Sequence, residues 1–227
     1  GAGVGNGLRE WVEVNVRMVG YDDYQGFQRV VPDAPLEKLG AAASTGTTVR
    51  FKADPVMFTE TTVYDYETRL IRLREEAFLN AGVRITFTDE RGDEAVRESM
   101  HYEGGLAGFV EYLQKKRDNN VLHPQVIPLK VQKDAIIAEV ALQYNACFQQ
   151  QIPTFSNNVN TPDGGTHEEG FKNAHTRGIN DLGSEKGHLT DKDDNLTGTV
   201  VRDGLTSVSS GTSTDAQYAG QARAKRG

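Results

Sequence analysis

The sequence predicts an α+β fold in two lobes, on three observations. Residues 11–16 and 83–87 alternate apolar and polar side chains with period two, as strands buried on one face do. Val63, Tyr66, Leu70, Leu73 and Ala77 recur at spacings of three and four, as along one side of a helix. The pair Gly104-Gly105 then separates two such mixed stretches and is one of two grounds for a boundary between lobes near Gly104.

Taken in order, residues 1–8 contain four glycines, poor helix material at about 1 kcal/mol per glycine relative to alanine. Val12, Val14 and Val16 share one face of the first strand. Residues 27–31 read as its return and residues 47–51 as a third strand, broken by Ala53-Asp54-Pro55. The helix through Leu70 closes at Asn80-Ala81-Gly82, because glycine accepts the left-handed conformation that stops a helix. Val83, Ile85 and Phe87 make the next strand, and residues 89–93 turn the chain. Behind Gly104-Gly105, Leu106, Phe109, Val110 and Leu113 line one face of a second helix.

Residues 126–131, 135–144 and 148–158 read as three successive strands. Pro162-Asp163-Gly164-Gly165 is a turn, in which proline sets φ and glycine permits its positive values. Thr166 and Glu169 form a capping box for a helix that presents Phe171, Ala174 and Leu182 and is weakened by Gly178. Residues 183–198 are polar without period and read as a loop; residues 200–205 start a short helix.

Composition narrows the function. A net charge of −7, from 25 Lys and Arg against 32 Asp and Glu, argues against a broad face for duplex DNA, where affinity rests on neutralising phosphates. The single cysteine, Cys147, excludes an internal disulfide framework and a zinc cluster of several thiolates. No apolar run reaches the length of a membrane span, and no charged-then-apolar leader stands at the start. A soluble, cytoplasmic protein without a membrane partner is therefore expected. His167 sits beside Glu168 and Glu169 with no second ligand at helical spacing, so it reads as a locally bonded histidine and no metal site is assigned. Asn157, Asn158 and Asn160 read as satisfying backbone groups of the adjoining turn.

As a string, TFSNNVNTPDGGTHEEGF (154–171) resembles the asparagine-rich strand and GGTH turn of the transducer domain in the ATPase subunits of bacterial type IIA topoisomerases, DNA gyrase B and its topoisomerase IV relative. Further matches follow the family's order: GTTVRF (46–51), FLNAGVRITFTDER (78–91), HYEGG (101–105), EVALQYN (139–145), DDNLTG (193–198) and VRDGLT (201–206). The resemblance covers essentially the whole chain. It implies that residues 1–103 are the C-terminal part of a GHKL-type ATP-binding sandwich. Residues 104–227 are then a transducer domain, truncated at its C-terminus, with a mixed sheet and a left-handed βαβ crossover; this switch of domain is the other ground for the boundary near Gly104.

The resemblance also implies roles. The chain looks like part of a DNA topoisomerase subunit that couples ATP binding and hydrolysis to strand passage, with ATP and magnesium as cofactors. Gly1 matches the last glycine of the phosphate loop, Arg17 an arginine at the pocket rim, Thr47 a hydroxyl lining the adenine pocket, and Val49 an apolar contact beside it. Gln221-Ala222-Arg223 stands in place of a Gln-Thr-Lys loop that contacts the terminal phosphate; Gln221 and Arg223 are the catalytic candidates. Arginine keeps the charge but replaces an ammonium point charge with a planar fork. The family's general base, magnesium-binding asparagine and adenine-binding aspartate lie upstream of the glycine loop. The magnesium ligand is thus expected outside this chain, and the chain alone is expected to turn over no ATP. Implied partners are a second copy of the ATPase subunit and the DNA-cleaving subunit, with DNA contacted indirectly.

Two departures point to a rival reading, a non-enzymatic structural or interaction module. Glycines crowd residues 1–7, and the serine- and glycine-rich residues 206–214 occupy the place of an apolar family strand. The last strand is expected to be weak for that reason.

Overall fold

The valine alternation of residues 12–16 falls within β1 (Arg9–Met18), which is central to an antiparallel sheet with β2 (Tyr21–Gln28), β3 (Val31–Pro32), β4 (Glu37–Gly40) and β5 (Gly46–Ala53). The strand order is β3-β2-β1-β5, with β4 also on β2. The computed structural model describes residues 7–190, 192–220 and 222–227. It divides into two compact units, one ending at Asp65 and the other Tyr66–Gly227. The return strand begins at Tyr21, earlier than the apolar residues of 27–31 suggest. It stops at Gln28 because Arg29 and Val30 take positive φ, 43° and 78°, in the turn that starts β3.

The second unit opens with α1 (Tyr66–Leu79), the hairpin β6 (Arg84–Asp89) and β7 (Val96–His101), and α2 (Gly105–Lys116). Tyr66, Leu70, Leu73 and Ala77 all turn inward on α1, whereas Val63 precedes the helix and is exposed. Gly82, at φ 87°, ends the segment as expected. Phe78 stacks on Tyr102 and Phe109 at centroid distances of 3.8 and 4.8 Å, and Phe109 meets Phe155 at 5.9 Å. These rings, with Val110, Ala141 and Val208, are the main core. So α1 packs with α2, and the compact units part at Asp65, upstream of Gly104.

The main sheet of this unit has the order β11-β10-β12-β9-β8, built from β8 (Ile127–Lys133), β9 (Ile136–Tyr144), β10 (Thr154–Ser156), β11 (Val159–Asn160) and β12 (Leu205–Ser213). It is mixed: β10 runs parallel to β12, and the crossover between them carries α3 (Thr166–Glu185) and α4 (Gly198–Val201). Residues 148–158 are not one strand. Phe148 is 89% exposed, and β10 and β11 form a hairpin whose turn residues, Asn157 and Asn158, both take positive φ; asparagine tolerates this better than most residues.

The expectation of a weak last strand is corrected. β12 lies in the centre of the sheet and is buried from Leu205 to Ser209. Its small residues lose little as a core because backbone ladders on both sides satisfy its amides. Thr206 also joins a buried network in which its hydroxyl donates to the Gln114 side-chain Oε1 at 3.1 Å. The Asn145 amide donates to both, at 2.9 and 3.1 Å. This network fixes α2 against β9 and β12. No helix among the described residues is long and apolar enough to cross a membrane.

Candidate functional site

The 154–171 stretch is a seat for the end of the chain. Gly164 and Gly165 take φ of 72° and 144°, conformations that favour glycine. A Cβ on Gly165 would stand 2.2 Å from the Arg226 carbonyl oxygen, so only glycine fits. The Asp163 amide donates to the Ala224 carbonyl at 3.0 Å, the Arg226 amide to Gly164 at 3.1 Å, and the Thr166 hydroxyl to Gly227 at 2.8 Å. Residues 217–220 and 222–227 double back on one another through Ala219 N to Lys225 O and Gly227 N to Gln217 O, both 3.0 Å. The tail is thus a small hairpin with one arm seated on the GGTH turn.

That seat corrects the capping box. Gly165 is the N-cap of α3 and no side chain caps the helix; the Thr166 hydroxyl is engaged with Gly227 instead. His167 faces inward, its Nε2 2.8 Å from Thr161 Oγ1. The Thr161 hydroxyl donates to the Thr154 carbonyl, so Nε2 is the donor and Nδ1 is left buried without a partner. Burial pushes the His167 pKa down, and the Arg226 charge lowers it further.

Arg223 lies in the hairpin turn with φ 57°, exposed, its guanidinium carbon 5.3 Å from the centre of the Tyr218 ring. Tyr218 is held in turn by donating to the Ser156 carbonyl at 3.0 Å. No carboxylate lies within ion-pair distance of Arg223 among the described residues. A cation free of carboxylates, beside Lys225 and Arg226, can meet an anionic group. The sequence did not single out Tyr218 or Arg226. Their signals were the basic tail and the register of residues 217–221, and neither places them, because what does so is a backbone seat formed some sixty residues earlier.

Of the other candidates, Thr47 and Val49 share one face of β5, opposite Val16 and Val14 of β1, and both are exposed. Arg17 pairs with Gly46 and, by alternation, belongs to the other face, its guanidinium 3.0 Å from where a Cβ on Gly46 would stand. Gly1 and Gln221 lie outside the described residues. The asparagines divide: Asn157 exchanges two 2.9 Å bonds with the Ser213 backbone at the end of β12. Asn158 and Asn160 instead donate to Asn80 and Glu75 side chains at 2.8 and 3.2 Å. These last two tie the hairpin to α1 and to Asn80, the residue that follows it, and do not serve the adjoining turn.

The comparisons agree with this geometry. A family model described as DNA gyrase B matches residues 105–226, over half of the chain. The DNA gyrase B of Halalkalibacterium halodurans is 47% identical over 227 residues, and that of Staphylococcus epidermidis 43%. Both matches cover 100% of this chain and 35% of the relative, so the chain spans about a third of the length of the curated relatives it matches. Among solved structures, the 43K ATPase domain of Thermus thermophilus gyrase B in complex with an aminocoumarin has a TM-score of 0.80 at 30% identity, covering 99% of this chain and 60% of that one. The DNA gyrase B of Myxococcus xanthus, at 0.78 and 23%, covering 99% and 63%, shares the fold. With the family model on the mixed sheet and the GGTH seat, and identity extending through both units, the chain belongs to the DNA gyrase B family.

Proposed function

We propose that this chain is part of the ATP-operated subunit of a bacterial type II DNA topoisomerase, and that Gln221 and Arg223 face the terminal phosphate of the nucleotide while Thr47 and Val49 face its adenine. The observation that carries the reading is the tail hairpin, which presents Arg223 with no carboxylate in ion-pair distance among the described residues and is anchored on a turn that admits only glycine. A positioned cation stabilises the charge that develops on a transferred phosphoryl group. Magnesium-ATP supplies that phosphoryl group when bound; the chain's own contribution is to hold Arg223 in place through Tyr218 and the GGTH seat. No residue here is assigned to the magnesium ion, and Arg17 and Gly1 are rim and phosphate-loop positions in this reading.

The start of the family match at residue 105 supports a domain boundary at Gly104, with residues 1–103 nucleotide-binding and 104–227 transducer. The parent works in the cytoplasm as a dimer, together with a DNA-cleaving partner, touching DNA indirectly. The rival reading of a non-enzymatic module rested partly on Ser207 to Ser210. Ser207 and Ser209 are buried in the central strand, so these serines no longer favour it.

Thermal unfolding with and without a non-hydrolysable magnesium-ATP analogue tests the proposal. Ligand at about 100 times its Kd adds roughly 2.7 kcal/mol, a rise of about 5 to 11 °C for a chain of this size. The rise is expected to vanish in Arg223→Ala. A rise that survives in Arg223→Ala removes the phosphate role, and no rise at millimolar analogue removes nucleotide binding by this chain. The chain alone is expected to show no ATPase turnover.

A further inference from the structure

The asparagine-rich hairpin is hydrogen-bonded on two sides. β10 and β11 meet at a turn in which Asn157 and Asn158 take φ of 47° and 63°, the paired left-handed conformations of a tight hairpin. Their side chains part there. Asn157 binds the Ser213 backbone, where β12 ends and the tail begins, while Asn158 donates to Asn80 Oδ1 at 2.8 Å, just past α1. Asn160, two residues on and so on the same side of the strand, donates to Glu75 Oε1 of α1 at 3.2 Å.

Both acceptors are themselves held. The Asn80 amide donates to the Glu76 carbonyl and carboxylate at 2.8 and 3.3 Å, which leaves its Oδ1 for Asn158. The Glu75 side chain is 16% exposed, and its other oxygen pairs with Arg72 at 2.9 Å. On the tail side, Tyr218 donates to the carbonyl and hydroxyl of the wholly buried Ser156 at 3.0 and 3.1 Å, and Arg223 lies over the Tyr218 ring. Residues 156–160 therefore stand between α1 and the guanidinium, with hydrogen bonds to α1 and Asn80 on one side and to Tyr218 on the other. Such bonds fix direction as well as distance.

We propose that Asn158 and Asn160 are positioning residues for Arg223. They clasp the hairpin to Asn80 and Glu75, so that the place of α1 sets, through Ser156 and Tyr218, the place of the guanidinium. The boundary proposed at Gly104 puts α1 on the nucleotide side and the hairpin on the transducer side, so the clasp crosses it. Its use in a nucleotide cycle rests on the phosphate assignment of Arg223, whereas the relay is read in the free chain, and the two fail separately.

The experiment is nuclear magnetic resonance of the isotope-labelled 227-residue chain. It reads the Arg223 Nε–H resonance, displaced by the Tyr218 ring, and amide exchange at Ala219, whose N–H bonds to Lys225 O within the tail. Asn158→Gly keeps a residue that accepts positive φ and removes the donor; Asn160→Asp sets a carboxylate against Glu75. In the double variant, Ala219 exchange is expected to rise about tenfold, the scale of one hydrogen bond to a charged group. The Arg223 resonance is expected to move toward its position in Tyr218→Leu, while amides of α2 and β9 keep their rates. Glu75→Gln, added to Asn160→Asp alone, again sets a donor against an acceptor and is expected to return both signals toward those of the parent chain. An Arg223 resonance and an Ala219 rate unchanged in the double variant overturn the proposal. So does faster exchange shared equally by α2 and β9, which makes the asparagines supports of global stability, and so does failure of Glu75→Gln to rescue Asn160→Asp.

Discussion

The two units are stabilised differently. Among described hydrophobic residues up to Asp65, only Val12 and Ala53 are buried; Val49 and Phe51 of β5 are 50% and 41% exposed. From Tyr66 onward, aromatic stacking joins α1, α2 and the sheet, and Phe155, Leu205 and Val208 are wholly enclosed. The first unit is a hydrogen-bonded ladder with open faces, whereas the second is a closed core. Net stability follows buried apolar area far more than hydrogen-bond count, so resistance to unfolding belongs mostly to the second unit.

The largest test of that contrast pairs two truncations. Phe155→Ala empties a fully buried ring site and is expected to cost about 3 to 5 kcal/mol. Val12→Ala removes roughly two methylene equivalents from the first unit, worth about 1.5 kcal/mol. Urea unfolding measures both, with Trp11, the chain's one tryptophan, reporting the first unit and circular dichroism the whole chain. Equal losses would break the comparison.

A smaller effect is expected at the seat of the tail. Gly165→Ala forces a side chain into the Arg226 carbonyl at a φ of 144°, with strain of about 1 to 3 kcal/mol. Local opening is the cheapest relief, so amide exchange at Arg226 and Gly227 should speed up while α2 and β9 keep their protection. Unchanged exchange at Arg226 would mean that the seat does not hold the hairpin.

The smallest effect is on pH dependence. His167 and His175 have pKa values lowered first by burial and then by Arg226 and Arg202; Glu168 opposes the shift at His167, and the Tyr144 hydroxyl faces His175. A lowered folded pKa means that the native state binds fewer protons than the unfolded chain. Their contribution is thus present above the unfolded value of about 6.5 and lost as pH falls through it toward the folded pKa. All five histidines lie beyond Asp65. Stability of the second unit should therefore decline as pH falls below about 6.5, and His167→Gln with His175→Gln should flatten the decline. An undiminished slope in that double variant would assign it to other groups.

Local pattern made much of this legible. The inward faces of α1 and α2 and the hairpin strand β6 follow from apolar spacing, because a helix or strand with one buried side carries its period in the sequence. Thr47 and Val49 fall on one strand by the same logic. The hairpin at Asn157-Asn158 stays hidden inside an apparent strand, since asparagine signals a turn only weakly without a neighbouring glycine.

By itself, the sequence determined the α+β class, the helices of the second unit, the glycine turn and the family to which its longest motif belongs. Only the tertiary structure decided that a serine-rich segment is the buried central strand, that Asn158 and Asn160 bind Asn80, just past the end of α1, and Glu75 within it, and that the GGTH turn seats the tail carrying Arg223. The physical reason is range. Period and turn chemistry act between neighbours in the chain, whereas the burial of β12 and the seat at Gly165 depend on backbone groups that meet only after the sheet, its crossover helix and the tail have come together.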